Sequence, residues 1–346
     1  MPVTVVIGGQ FGSEGKGKVA LHLARRQGAA AVVRVGGTNS GHTGVDRNGD
    51  TWALRQLPAA VLEPGTIAIL PPGALIDPDI FLDEVARLGL GPDRVRVSRL
   101  ATVITAADHE AERASGIVEG IGSTGSGTGA ALARRIARRD RRGLLAGDHE
   151  RLQEYLSDTG PMMRDLLERG KRIVVEGSQG FGLSLLHGPE YPKATSRDTT
   201  AATFVGEAGL SPLDVDDVTM VIRAHPIRVA GDSGKLDGET SWAEVAALAR
   251  LPNDFVELTT CTRKVRRVGS FAPAVVRMAI DANRPTRIVL NHVDYVDPDA
   301  RTGRPGPSAV RFVEEVVERP LGVRVDWIGT GPADVVEDWR SGSGPK

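Results

Sequence analysis

The sequence predicts an α/β fold, a mostly parallel central sheet flanked by helices that opens on a P-loop-like phosphate loop. Short β-branched runs alternate with helical patterns along the chain. The first run feeds directly into a glycine-rich turn with paired lysines, and no internal repeat is present. Alternation of this kind collects ligands at the carboxyl ends of the strands.

Val3 to Ile7 is a β-branched, strand-like run. Similar runs follow at Ala31 to Val35, Thr66 to Leu70, Arg172 to Val175, Val218 to Ile222, Arg287 to Leu290 and Val323 to Ile328. Between them, apolar residues recur every three or four positions in Lys18 to Arg26, Ile80 to Leu88, Glu150 to Glu168, Trp242 to Leu248, Ala274 to Ala282 and Ala309 to Val317, which marks helices. A basic helix is expected after Gly129, carrying Arg134, Arg135, Arg138 and Arg139. Residues 1–340 read as a single domain, Arg301 to Pro307 as a surface loop, and Ser341 to Lys346 as a disordered tail.

With 43 basic and 44 acidic residues the formal net charge is -1, so nothing attracts nucleic acid or an anionic membrane in bulk, and phosphate recognition has to be local. Aromatic residues, at 4%, are too few for single-strand stacking platforms. The single cysteine, Cys261, excludes a disulfide framework and a cysteine-cluster zinc site. No signal-peptide pattern and no membrane-length apolar run is present, so a cytoplasmic enzyme is expected, in the host cytoplasm if the gene is viral.

Gly8-Gly9-Gln10-Phe11-Gly12-Ser13-Glu14-Gly15-Lys16-Gly17-Lys18 reads as a phosphate cradle, because glycines let backbone N–H groups converge and the lysines add charge. From Gly12 the spacing is Gly-x4-Gly-Lys, but Val19 stands where a P-loop has its Ser or Thr for magnesium, so a metal ligand has to come from elsewhere. Next, Gly36 to Thr43 contains His42, a titratable group able to act as an acid near neutrality; alone, such a histidine is more often structural. Ile121 to Gly129 offers hydroxyls and backbone donors suited to a phosphate. Glu176-Gly177-Ser178-Gln179-Gly180 sets Gln179 at a ligand edge, and Thr195 to Thr200 is hydroxyl-rich in the same way. Thr259 to Arg267 packs four cations beside hydroxyls, which suits a carboxylate or phosphate. Asn291-His292-Val293-Asp294 is like the Lys-x-Asp signature that holds guanine, and equally like a helix or turn cap.

In this order the segments resemble adenylosuccinate synthetase, whose phosphate loop reads Gly-x-Gln-Trp-Gly-Asp-Glu-Gly-Lys-Gly-Lys, and they resemble its compact archaeal-type branch in particular. The matches run from Gly8 to Pro332. The resemblance implies a homodimeric ligase that uses Mg2+, aspartate and two purine nucleotides. Gly12, Glu14, Gly15, Lys16, Gly17 and Lys18 would cradle the donor's phosphates, with Lys16 near the transferring group. Asp294, Gly331 and Pro332 would line the donor base. His42 would stabilise charge on the acceptor's 6-oxygen, with Gln179 beside it, while Asn39, Thr124, Gln179 and Thr195 hold the acceptor nucleotide. Arg138 would reach the acceptor phosphate of the neighbouring subunit. Thr262, Lys264 and Arg266 would bind aspartate, Lys264 replacing an expected Arg, and Gly41 and Ser13 would ligate Mg2+. His292 stands where many members have Lys, which leaves ATP, dATP and GTP open as donors.

Ser13 is the main departure, occupying the place of the family's aspartate base. A serine hydroxyl cannot replace a carboxylate as a base, although it can ligate a metal. This serine resembles the pattern of phage 2-aminoadenylosuccinate synthetases, which use dGMP, and the smaller side chain would leave room for the purine 2-amino group. Glu14 or a metal-bound hydroxide is left to remove the N1 proton. An IMP-using synthetase and, from another class, a non-catalytic nucleotide-binding protein are the competing readings.

Overall fold

In the computed structural model, which describes residues 2–139, 144–259 and 263–340, the β-branched runs assemble into one ten-stranded sheet. Its strands are β1 (Val3–Gly8), β2 (Ala31–Arg34), β3 (Ile67–Leu70), β4 (Val95–Ser98), β5 (Leu156–Ser157), β6 (Ile173–Glu176), β7 (Val215–Arg223), β8 (Arg287–Asn291), β9 (Trp327–Thr330) and β10 (Asp334–Val336). Across the sheet they run β10-β9-β8-β7-β1-β6-β2-β3-β4-β5, and every neighbouring pair is parallel except β9–β10.

Both faces of the sheet are covered. Val3, Val5 and Ile7 of β1 join one core cluster with Met163, Phe204 and Val276 from the helices Thr159–Glu168, Ala201–Ala208 and Pro273–Asn283. Val6 points the other way, into a cluster with Val19, Leu23 and Ala24 of helix α1 (Lys16–Gln27). Val19 and Leu23 are fully buried, which at about 25 cal/mol per Å² is worth roughly 1.5–3 kcal/mol apiece.

Most expected elements form, with informative differences. The stretch Glu150 to Glu168 is not one helix but a 3₁₀ segment (Glu150–Tyr155), strand β5 and a helix beginning at Thr159. Leu156 and Ser157 pair with Val97 and Ser98, while Tyr155 packs edge-on to Phe81 with ring centroids 5.1 Å apart, so tertiary pairing overrides the helical spacing. The helical stretch Ala309 to Val317 starts as an α-turn and continues as a π-helix, Phe312–Glu318. Strand β4 and the helix Ala201–Ala208, capped by the Thr200 side chain, form where the sequence pattern marks no element. The tail from Ser341 lies outside the described residues.

The carboxyl ends of β1, β2, β6, β7 and β8 come together in the middle of the sheet. They deliver the phosphate loop, the His42 segment, the Gln179 turn, Arg223 and the Asn291–Asp294 segment to one edge. Gly177 fixes the exit from β6, since a Cβ there would lie 2.2 Å from the Phe204 ring and 2.7 Å from the Val6 carbonyl oxygen. Gly177→Ala should therefore cost about 1–3 kcal/mol, read as a lower urea midpoint at unchanged slope.

Candidate active site

The phosphate loop is organised from inside by Glu14, which is fully buried. Its Oε1 accepts the N–H groups of Gln10 (3.1 Å) and Gly12 (2.8 Å), and its Oε2 pairs with Lys16 Nζ at 2.7 Å. Asn291 Nδ2 donates to the Glu14 carbonyl at 2.7 Å. Glu14 thus shapes the loop from within. Gly12 and Gly15 have φ of 91° and 90°, and Ser13, at 56°, is an exposed non-glycine residue in the left-handed region. A Cβ on Gly12 would sit 3.5 Å from Gln179 Oε1, so the Gln179 turn lies against the loop.

Gly17 brings His42 up to the same loop, since a Cβ at Gly17 would be 2.8 Å from His42 Cβ. His42 Nδ1 is 2.5 Å from Glu176 Oε1, which also accepts from Arg34 (2.8 Å) and the Ala59 N–H (3.1 Å). Glu176 has no exposure, and although burial pushes its carboxyl up, His42, Arg34 and the Ala59 N–H together hold it at about 2. Burial and the Arg34 cation hold His42 at about 4, against the pull of Glu176. A carboxylate only accepts, so Nδ1 carries the proton and Nε2 is the nitrogen left for a ligand. Sequence reasoning named His42 but missed Glu176 and Arg34.

On the opposite side Asn39 Nδ2 lies 3.5 Å from Thr195 Oγ1, which joins two of the residues expected to hold the acceptor. Gly37 abuts Thr128 and Gly129 abuts Ser196, so the glycine-rich segment closes the same pocket. Thr124 bonds Ser126 at 2.8 Å. The N–H groups of Gly127 and Gly129, read as phosphate donors, go instead to the buried Glu112 carboxylate at 2.8 and 2.6 Å. Arg138 is exposed at the end of the helix Thr128–Ala137, with φ 54°.

Lys18 Nζ donates to the Gly331 carbonyl at 3.0 Å, tying the loop to the β9 exit, while Pro332 is exposed. Burial lowers Lys18 to about 8, partly offset by Asp294 and Asp334. Asp294 is buried with its Oδ1 unpartnered, as expected of a group kept for a ligand. His292, with φ 60°, is held neutral by burial and the nearby Arg223. Lys264 is exposed on a hairpin where Leu258 bridges Val265, Arg266 is tied to Glu257 at 2.8 Å, and Thr262 lies outside the described residues.

Magnesium fits the donor set in one way only. Ser13 and Gly41 offer neutral oxygens, and Glu14, the carboxylate nearest in sequence, is consumed by Lys16 and the loop. Hard oxygens suit Mg2+, but its charge would have to be met by substrate phosphates. No cluster of three or more acidic, histidine or cysteine side chains is present among the described residues.

The same architecture recurs in solved structures. The succinoaminodeoxyadenylate synthetase of cyanophage S-2L, bound to dGMP and to dATP as energy donor, matches with a TM-score of 0.81 at 29% identity, over 99% of this chain and 97% of that one. The fully ligated adenylosuccinate synthetase of Plasmodium falciparum shares the fold with a TM-score of 0.83 at 20% identity, over 96% of this chain and 98% of that one. Fold and site together define a nucleotide-dependent carbon–nitrogen ligase. The family model for adenylosuccinate synthetase matches residues 5–148 and 143–301. Adenylosuccinate synthetases of Pyrococcus horikoshii and Thermococcus onnurineus are 35% and 36% identical over 340 residues, covering 96% of each chain. The chain belongs to the adenylosuccinate synthetase family.

His42 also makes stability depend on pH. Its ordinary value is 6.5 and its folded value about 4, so folding must keep the ring unprotonated below pH 6.5, at a cost that grows down to pH 4. The ligand-free protein should lose up to about 3 kcal/mol on this account between pH 6.5 and 4. Denaturant titrations of wild type and His42→Asn should show a shallower fall for the variant across that window.

Proposed function

We propose that this enzyme joins L-aspartate to C6 of dGMP with hydrolysis of a purine nucleoside triphosphate, giving 2-amino-2′-deoxy-N6-succinyl-AMP for 2-aminoadenine DNA synthesis. Ser13 carries the reading: it presents a short neutral side chain from the phosphate loop where the family has an aspartate. The likeness to a phage synthetase bound to dGMP and dATP supports it. The γ-phosphate goes to the purine 6-oxygen, the aspartate amine attacks C6, and inorganic phosphate departs with that oxygen, so a poor leaving group is exchanged for a good one.

His42 Nε2 serves the 6-oxygen. With Nδ1–H committed to Glu176, the ring donates from Nε2 only when doubly protonated, and phosphates brought next to Lys16 and Arg34 would offset the cations that hold it neutral. Lys16 and Lys18 draw the donor phosphates, Asn39, Thr124, Gln179 and Thr195 hold the acceptor, and Thr262, Lys264 and Arg266 receive aspartate. Mg2+, held through Ser13 and Gly41, would supply charge neutralisation to the phosphoryl groups. A neutral His292 beside Asp294 removes the fixed cation many relatives place at the donor base, which supports ATP or dATP as readily as GTP. The enzyme acts as a cytoplasmic homodimer of single-domain subunits, with Arg138 completing the neighbour's site.

A second reading, an IMP-using synthetase, is favoured by the archaeal relatives that carry the adenylosuccinate synthetase name. Aspartate-dependent phosphate release should be faster with dGMP than with IMP under matched conditions; equal or better turnover with IMP restores the second reading. A non-catalytic nucleotide binder would release none.

The left-handed backbone at Ser13 tolerates aspartate, so Ser13→Asp is a clean exchange of side chains. It should lower dGMP turnover by crowding C2 and raise IMP turnover, moving the ratio of kcat/KM by roughly 10-fold or more towards IMP. An unchanged ratio removes position 13 from purine selection.

A further inference from the structure

Arg223 is the last residue of β7 and its side chain has no exposure. Its backbone is gripped by Gln10 of the phosphate loop, which donates to the Arg223 carbonyl at 3.2 Å and accepts from its N–H at 2.9 Å. The guanidinium turns back to the loop and donates through Nη1 to the carbonyl of Ser13 at 3.1 Å. The same group reaches Glu257, with Nη2 2.6 Å from Oε1 and Nη1 3.2 Å from Oε2. Glu257 accepts a second guanidinium, Arg266 Nη1, at 2.8 Å, and the Tyr295 hydroxyl at 3.0 Å. The backbone of the hairpin closes on it too, since the Arg266 N–H donates to the Glu257 carbonyl at 2.9 Å.

Each of these partners belongs to a different part of the site. Ser13 stands exposed in the phosphate loop, Arg266 belongs to the arginine-rich hairpin, and Tyr295 follows Asp294 directly. One carboxylate therefore holds a buried and a half-buried cation together and ties three segments. Without its charge, Arg223 and Arg266 would face one another with no counter-ion, and like charges in a poorly solvated setting move apart. Only Nη1 of Arg266 is engaged by Glu257, and no side chain among the described residues bonds Nε or Nη2, which leaves that edge of the guanidinium for a carboxylate.

We infer that Glu257 is a positioning residue for the amino-acid substrate: through Arg266 it aims a guanidinium edge at a carboxylate of aspartate, and through Arg223 it registers that pocket against the Ser13 carbonyl of the phosphate loop. The inference rests on the proposed function only in taking aspartate as the substrate of the hairpin. It predicts that the amino-acid site, and not the nucleotide sites, loses affinity when Glu257 is neutralised.

Steady-state kinetics of Glu257→Gln test this, with aspartate, acceptor and donor varied in turn. The KM for aspartate should rise at least 10-fold while the two nucleotide KM values stay within about threefold. Because Glu257 acts through Arg266, the pair Glu257→Gln, Arg266→Gln should have the aspartate KM of Arg266→Gln alone; independent effects would multiply. Tyr295→Phe, which removes one hydrogen bond and no charge, should raise the aspartate KM by about threefold and provides the test if Glu257→Gln fails to fold. An unmoved aspartate KM in these variants, or an equal rise for all three substrates, overturns the inference and leaves the proposed function standing. Wild-type turnover that does not need aspartate overturns the proposed function, and the inference with it.

Discussion

A carboxylate with no access to solvent, Glu14, decides the path of the chain from Gly8 to Lys18. A buried charge without partners is costly enough that the surrounding chain must bring donors to it, and here two backbone N–H groups and the Lys16 ammonium converge on its two oxygens. Two glycines follow from this. A Cβ at Gly8 would lie 2.6 Å from Glu14 Oε2, and one at Gly180 would lie 2.2 Å from Oε1. The loop's outward face is then made of what remains, turned backbone and the exposed Ser13.

Charge at the carboxyl ends of buried strands is the second organising feature. Arg34 ends β2, Glu176 ends β6, Arg223 ends β7 and Asn291 ends β8, and all four are at most 1% exposed. A parallel sheet covered on both faces has nowhere else to admit polar groups, so they gather where the strands stop. Arg34 and Glu176 orient His42, and Arg223 and Asn291 hold the backbone of residues 13 and 14. These residues form the support on which the ligand-facing side chains stand. Breaking one partner of such a pair strands a buried charge, which is why the site behaves as a unit.

The segments of the site are likewise joined in pairs through short polar chains. Lys18 joins the phosphate loop to Gly331, Asn39 joins Thr195, and the Arg223–Glu257–Arg266 chain joins the loop to the arginine-rich hairpin. Glu112 shows the opposite arrangement, an internal carboxylate filling a helix N-terminus that the glycine-rich sequence advertised for phosphate. Helix dipole and free N–H groups draw the nearest anion, and in this fold that anion is covalently part of the chain.

The sequence by itself determined the α/β class, the central strands, the phosphate loop and the family, because each is written in local order: β-branched runs, a glycine–lysine turn and ordered short motifs. Asn39 lies beside Thr195 and Gln179 against Gly12, so the structure brings together residues that the family resemblance had marked for the acceptor. Glu176 stood inside a motif that was read for Gln179, and a glutamate closing a buried strand was the available signal. Only the tertiary structure could decide which polar group meets which. Glu14 with Lys16 is a contact two residues apart, yet its second half depends on Asn291, 277 positions away. Glu112 took the glycine-rich donors, Leu156 and Ser157 left a helical stretch for a sheet edge, and Glu257 bridged residues from separate elements. Periodicity and motif spacing record which way a side chain points along its own element; the partner of a buried charge is fixed by how distant elements pack, and that information is not local to any segment.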